Sequence, residues 1–256
     1  MTGSCIAGAC RRTKKEGVCF YMMQHEEISL GKGRVPKYDG DLRAFSLRVP
    51  DVIHKASGIV IFGRRIKSLV FSTDVSIIRN VNADAVLAVY PFTPQPIITQ
   101  SILMASEAPV FAGVGGGLTK GQRVTNLAVT TESQGAFGLV LNAPTSNESI
   151  RAVGEAVDLP IVITVASGGG DYGARLEAGA DIFNVSCAGK TPEVVREIRG
   201  QFPDVPIIAT GGKTDESILE TIEAGANAIT WIPPTNAAVF RTIMDAYRED
   251  KAHPHK

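Results

Sequence analysis

Residues 179–212 read GADIFNVSCAGKTPEVVREIRGQFPDVPIIATGG. Two short runs rich in apolar and β-branched residues, DIFNVS (181–186) and IIATG (207–211), flank an amphipathic stretch. Short apolar runs bounded by glycine and proline read as strands, and two joined through a helix read as parallel neighbours. Working outward, the same alternation extends in both directions. SLVFST (68–73), AVLAVYP (85–91), VFAGVG (110–115), GLVLNA (138–143), IVITVA (161–166) and AITWI (228–232) are the remaining strands. Helices such as SNESIRAVGEAV and DESILETIEAG lie between them, and TNAAVFRTIMDAY closes the series. Eight strands, seven intervening helices and a final helix are the tally of an α/β closed parallel barrel, the (β/α)₈ or TIM fold.

A finer regularity supports that count. The third, fifth and seventh strands each follow a proline (Pro109, Pro160, Pro206), a residue tolerated where no ladder donor is needed. The even strands begin NADAV, QGAFG, AGADI and AGANA; aligned on the shared alanine, Pro91, Pro144 and Pro234 fall at one offset, where the sixth strand has Ala188. Such a repeat marks a recurring βαβα unit. It also sorts side chains, because strand residues alternate between faces. Val86, Ala88, Leu139, Leu141, Phe183, Val185, Ile229 and Trp231 form a wholly apolar parity, expected under the helices. The other parity (Leu87, Val89, Val140, Asn142, Asn184, Ser186, Thr230, Ile232) is expected inside the barrel, with Ser72, Gly113, Thr164 and Thr210 its odd-strand counterparts near the top. The upper interior is therefore expected to be lined by neutral amides and hydroxyls, and Ser72, Asn142, Asn184, Ser186 and Thr210 are the candidate substrate contacts.

The chain of 256 residues, 44% hydrophobic, suits one such barrel. We place it at 58–250, after an extension over 1–57 and before a tail at 251–256. IVIF-GRR-IKSLVF (59–71) resembles a hairpin whose first arm closes the barrel floor, and VPDVIHKASG (49–58) reads as a short helix. Lys+Arg and Asp+Glu are equal at 26, so net charge gives no pull toward nucleic acid or membrane. No apolar run approaches the ~20 residues of a bilayer span, and the basic stretch around Arg11, Arg12, Lys14 and Lys15 lacks the apolar core of a secretory signal. A cytoplasmic location is expected. Cys5, Cys10, Cys19 and Cys187 match no common metal spacing and are expected to be free thiols.

In this fold chemistry sits on the loops after the strands. Gly115–Gly117, Gly168–Gly170 and Gly211–Gly212 all lie there. Glycine lets backbone N–H groups approach a ligand, and a following helix start favours anions; tight turns alone would explain any one of the clusters. The seventh and eighth loops, with Gly211, Gly212, Thr235 and Asn236, are the candidate phosphate-binding set, Thr235 doubling as a helix N-cap. Asp74 directly follows the first strand, two residues after Ser72, and is the candidate proton-transfer group; the competing reading makes it the N-cap of VSIIRN. His25, His54, His253 and His255 lie off the rim, so no Ser–His–Asp set assembles there. The rim likewise gathers no carboxylate or histidine cluster suited to a metal.

The segment 179–212 resembles the corresponding region of the 2-keto-3-deoxy-6-phosphogluconate aldolases, its Thr210-Gly211-Gly212 element matching a substrate- or phosphate-contacting motif. The lysine those enzymes use to form an imine has Asn184 at its place, and their glycine–serine clamp after the last strand is replaced by Ile232-Pro233-Pro234-Thr235. Over 58–247, IKSLVFSTD, AVYPFTPQPIITQ, FAGVGGG, LNAPTSNESI and IPPT more closely resemble a group of TIM barrels without an assigned reaction, often labelled only "hydrolase". The chain resembles flavin-binding nitronate monooxygenases and the dehydrogenases of purine nucleotides more distantly. These resemblances imply an enzyme acting on a small phosphorylated or carboxylated metabolite by lyase (aldolase-like) or isomerase chemistry, with hydrolysis, non-catalytic metabolite binding and FMN-dependent oxidoreduction as alternatives. No cofactor is called for by the residues. The expected partner is a small anionic metabolite, and self-association into a homo-oligomer is left open.

Overall fold

The computed structural model describes residues 47–253; the expectations for Cys5, Cys10, Cys19 and the basic arm lie outside them. A two-stranded hairpin, β1 (Ile59–Ile61) and β2 (Arg64–Ile66), precedes eight parallel strands. These are β3 (Ser68–Phe71), β4 (Ala85–Ala88), β5 (Val110–Gly115), β6 (Gly138–Leu141), β7 (Ile161–Val165), β8 (Ile182–Val185), β9 (Ile207–Thr210) and β10 (Ala228–Trp231). They close in chain order, with β10 pairing back onto β3. Eight helices alternate with them: α1 (Val75–Arg79), α2 (Pro96–Ala105), α3 (Gln122–Ser133), α4 (Asn147–Gly154), α5 (Tyr172–Glu177), α6 (Thr191–Gln201), α7 (Asp215–Glu223) and α8 (Asn236–Arg248). The chain is a (β/α)₈ barrel. Among the described residues no helix is long and apolar enough to cross a membrane.

The two-residue alternation divides the core into two layers. Val86, Ala88, Leu139, Leu141, Phe183, Val185 and Ile229 pack in the outer layer with helix residues such as Ile150, Val195 and Ile198, and Trp231 lies partly buried against it. Leu69, Ala85, Leu87, Phe111, Val140, Val162, Ile182, Ile208 and Ala228 fill the inside. Ile59, Ile61 and Ile66 of the hairpin belong to that inner cluster, so the hairpin stops the barrel floor as the sequence suggested. Phe62 and Gly63 form its turn with φ of 45° and 77°, the twist that suits a two-residue hairpin. The Phe62 ring rests edge-on against Phe137 at 5.3 Å, and Phe137 in turn meets Phe111 at 5.9 Å.

The repeat before the even strands has a physical role. In three of its four copies the residue after the shared alanine carries a side-chain oxygen that accepts the N–H at the start of the preceding barrel strand. Asp84 Oδ2 accepts from Lys67 and Ser68 at 2.9 and 3.0 Å, Asp181 Oδ2 from Ile161 at 2.8 Å, and Asn227 Oδ1 from Ile207 at 2.9 Å. Phe137 takes the fourth place and supplies the floor aromatic instead.

Residues 47–57, grouped by sequence with the extension, are part of the packed barrel. Leu47 bridges to Val81, and a 3₁₀ turn over Asp51–Lys55 packs on α7. Val49, Val52, Ile53 and Ala56 are buried, with Ile53 at 0% exposure. Lys251–His253 adopt no regular structure. An Ile53→Ala variant should lose about 2–5 kcal/mol in denaturant unfolding, the cost of a cavity in a closed core; a loss under about 0.5 kcal/mol would return this segment to the status of an arm.

Candidate functional site

The interior row changes character as it rises. Above Val140, Val162, Ile182, Ile208 and Ala228, the next inward positions are Asn142, Thr164, Asn184, Thr210 and Thr230. Asn184 pairs in register with Thr164 and Ile208, so it points inside while Val185 packs outward. Its Nδ2 donates to Thr164 Oγ1 at 3.3 Å. At the mouth, Thr210 Oγ1 donates to Ser186 Oγ at 3.3 Å. Asn184 and Thr230 are 6% and 4% exposed, yet Asn184 Oδ1 and Thr230 Oγ1 have no hydrogen-bond partner. A buried polar atom left without a partner costs about 1–3 kcal/mol.

Ser72 is not part of the row. Leu69 pairs with Ala85 and Phe71 with Leu87, both inward residues, so Ser72 falls on the opposite parity beyond the strand end. Its Oγ accepts the Asp74 N–H at 3.1 Å. Reading SLVFST to its end, rather than matching its apolar positions to those of β4, misassigned it. Phe71, 39% exposed, stands at the mouth instead.

The inward placement argued for Asp74 falls with Ser72. Asp74 caps α1: Oδ1 accepts from Ser76 N–H (2.8 Å), Ser76 Oγ (2.6 Å) and Ile77 N–H (3.3 Å), and Oδ2 accepts from Asn236 Nδ2 (3.1 Å). The Ser76 hydroxyl is the largest influence on its pKa and burial, which pushes it up, the second; with the backbone donors and Asn236 the Ser76 bond holds it below the usual carboxylate value. A carboxylate so held is ionised at neutral pH and ill suited to shuttle a proton.

In the candidate phosphate set, the polar side chains make structural hydrogen bonds. Thr235 caps α8 by accepting from Ala238 N–H at 3.2 Å, and Asn236 Nδ2 also reaches Ser76 Oγ at 2.6 Å, tying the last helix to the first. A side chain on Gly211 would strike Ile229 and Ile218, at 2.7 and 2.9 Å; Gly212 adopts φ of 85°, and a Cβ there would overlap the Ser217 hydroxyl. Close packing therefore calls for glycine at both positions. The Gly168–Gly170 loop is pinned to α6, Glu197 accepting the Gly169 N–H at 3.0 Å.

Hollows open on the strand-end face among the described residues. One of about 540 Å³ lies between the ends of β4, β5 and β6, with Val89, Tyr90, Gly113 and Asn142 on its wall. A second, about 430 Å³, runs between the starts of α3 and α4 past Lys120 and Glu148. A third, about 440 Å³, is lined by Thr164, Ser167, Asn147, Asp171 and Arg175. Arg175 was not anticipated; it sits within a helix turn of ordinary composition, and only the fold brings it to the rim. Cys187 is half-buried, its thiol bonded to the Val165 carbonyl at 3.4 Å, and burial first, with Glu197 adding, raises its pKa. Among the described residues no cluster of three or more His, Cys, Asp or Glu side chains gathers to hold a metal ion.

No family model matches the chain, and no curated protein does. Solved structures match in fold. A phosphonopyruvate hydrolase in complex with oxalate and Mg²⁺ is 16% identical, covering 73% of this chain and 83% of its own at a TM-score of 0.55. An oxaloacetate acetylhydrolase bound to its product oxalate is 12% identical, covering 79% and 86% at 0.57. A mandelate oxidase variant carrying an FMN adduct is 18% identical, covering 69% and 68% at 0.55. At such identities the likeness establishes the barrel; the chemistry has to come from the site.

Asp74→Asn should leave stability within about 0.5 kcal/mol, because Asn caps as well as Asp, whereas Asp74→Ala should cost about 0.5–2 kcal/mol. Since the folded pKa is depressed, the ionised side chain's contribution is present above the unfolded value and fades as pH falls below about 4. Thermal melts of the Asp74→Ala variant should therefore approach wild type in acid; a gap that persists there would argue against the cap.

Proposed function

We propose that the protein is an enzyme that acts on a small carboxylated or phosphorylated metabolite at the strand-end face, by lyase or isomerase chemistry, with hydrolysis the next reading. The observation that carries this is the unpartnered Asn184 Oδ1, on a residue 6% exposed in the polar layer above an apolar barrel interior. It asks for a donor that the protein does not supply. A polar ligand descending between Thr164, Asn184 and Thr210 would provide one, and neutral amides and hydroxyls held rigidly by strands can orient a substrate or stabilise developing oxyanion charge. The fold likeness to a phosphonopyruvate hydrolase and an oxaloacetate acetylhydrolase, whose names designate small acidic substrates, supports the substrate class by analogy. Asn184 stands where the similar aldolases carry their lysine, and an amide forms no imine, so the proposed chemistry does not pass through a Schiff base.

A second reading, a metabolite-binding barrel without catalysis, is favoured by one feature. The interior row is neutral, and Asp74, the rim carboxylate nearest a strand end, is engaged as a cap.

Asn184→Leu separates a ligand-binding layer from a structural one. The substitution removes a buried oxygen without a partner and one long hydrogen bond to Thr164, which is only partly buried, so the two effects largely offset one another in the fold. The variant should melt at or above the wild-type temperature and lose any small molecule that purifies with the wild-type protein, as read by untargeted mass spectrometry. A marked drop in melting temperature with the same ligand retained would count against the proposal.

A further inference from the structure

Resting on the reading of an acidic metabolite, we infer that Arg175 holds that metabolite's carboxylate or phosphate, in the hollow of about 440 Å³ beside the end of β7. This moves the anion site away from the seventh and eighth loops, whose polar side chains are already committed to caps.

Arg175 lies on α5 and is half-buried. Its Nη1 donates to the Thr145 carbonyl and to Asn147 Oδ1 at 3.0 Å, and its Nη2 to the Ala143 carbonyl at 3.4 Å. All of these acceptors are neutral, and Arg175 takes part in no ion pair among the described residues. Its Nε–H makes no hydrogen bond there either. A guanidinium removed partly from water without a counter-charge is costly, and its planar fork matches a carboxylate or phosphate edge.

Arg199 shows what a purely structural arginine looks like in this chain. It donates to the carbonyls of Phe202, Pro203, Val205 and Gly225 and to Asn227 Oδ1, with Asp204 nearby, on the floor of the barrel. Arg175 has fewer acceptors, and the hollow it borders lies on the strand-end face rather than on the floor. The wall of that hollow includes Thr164, the residue bonded to Asn184. Asp171 shares the hollow, but its Oδ1 is occupied by the Ala174 N–H at 2.9 Å and it forms no ion pair with Arg175.

The probe is inorganic phosphate, titrated against thermal unfolding of the full chain at constant ionic strength. Binding to the folded state alone raises the melting temperature saturably. The wild-type protein and Asn236→Ala should show the same increment, Arg175→Lys a smaller one and Arg175→Gln none. Because Arg175 also braces the loop at 143–147, its variants are judged on the phosphate-dependent increment and not on their starting stability. In the unaltered protein, phosphate should also protect Arg175 from phenylglyoxal, read by peptide mass spectrometry. A full increment in Arg175→Gln, its loss in Asn236→Ala, unprotected Arg175, or no saturable increment in the wild type would each overturn the assignment. If Asn184→Leu still abolishes ligand carry-through in that event, the proposed function stands and only the anion site is wrong.

Discussion

Closure of the parallel ladder is the constraint from which the rest of the molecule follows. With β10 hydrogen-bonded to β3, each barrel strand has a neighbour on both sides and no edge is left for solvent. Every second side chain must then enter a tube that only residues can fill. The lower tube is filled by aliphatic residues, Phe111 and the hairpin isoleucines. Asp84, Asp181 and Asn227 secure the strand starts that bring those residues into register. The hairpin is thus as much a part of the barrel as any strand.

The top of the same tube obeys a different rule. Aliphatic residues at 184 and 230 would satisfy closure without leaving polar atoms stranded, and the chain has Asn and Thr there. Local choices that oppose stability while the surrounding fold is consistent are where function is to be sought. The periphery of the face shows the opposite pattern. Asp74, Ser76, Thr235 and Asn236 satisfy one another and the ends of two helices, binding the first βα turn to the last. The four rim residues thus have partners in one another or in a helix end, whereas Asn184 Oδ1 and Thr230 Oγ1 inside the barrel are left without partners.

Strand order, helix order and the inward direction of Asn184 were legible because period-two alternation leaves a direct trace in sequence, and the repeated alanine set a common register for the even strands. Ser72 was misplaced for want of such an anchor: β3 has no leading alanine, and its two ends allow either parity. Asp74 showed both a cap and a rim carboxylate, and the choice depended on where Asn236 arrived, some 160 residues later in the chain. The glycine pair at 211–212 signalled close approach correctly. Within the protein, what approaches are Ile218, Ile229 and Ser217, which composition does not encode. Arg175 left no trace, since its meaning lies in lacking a counter-charge in three dimensions.

A crystal structure at a resolution that orders interior water tests the central claim most directly, through what lies against Asn184 Oδ1. The account predicts Asn184 inside the barrel with Val185 under the helices, and a water or small-molecule donor within about 2.7–3.2 Å of that oxygen. Density showing the oxygen satisfied by a protein donor, or Val185 in the interior, would contradict it.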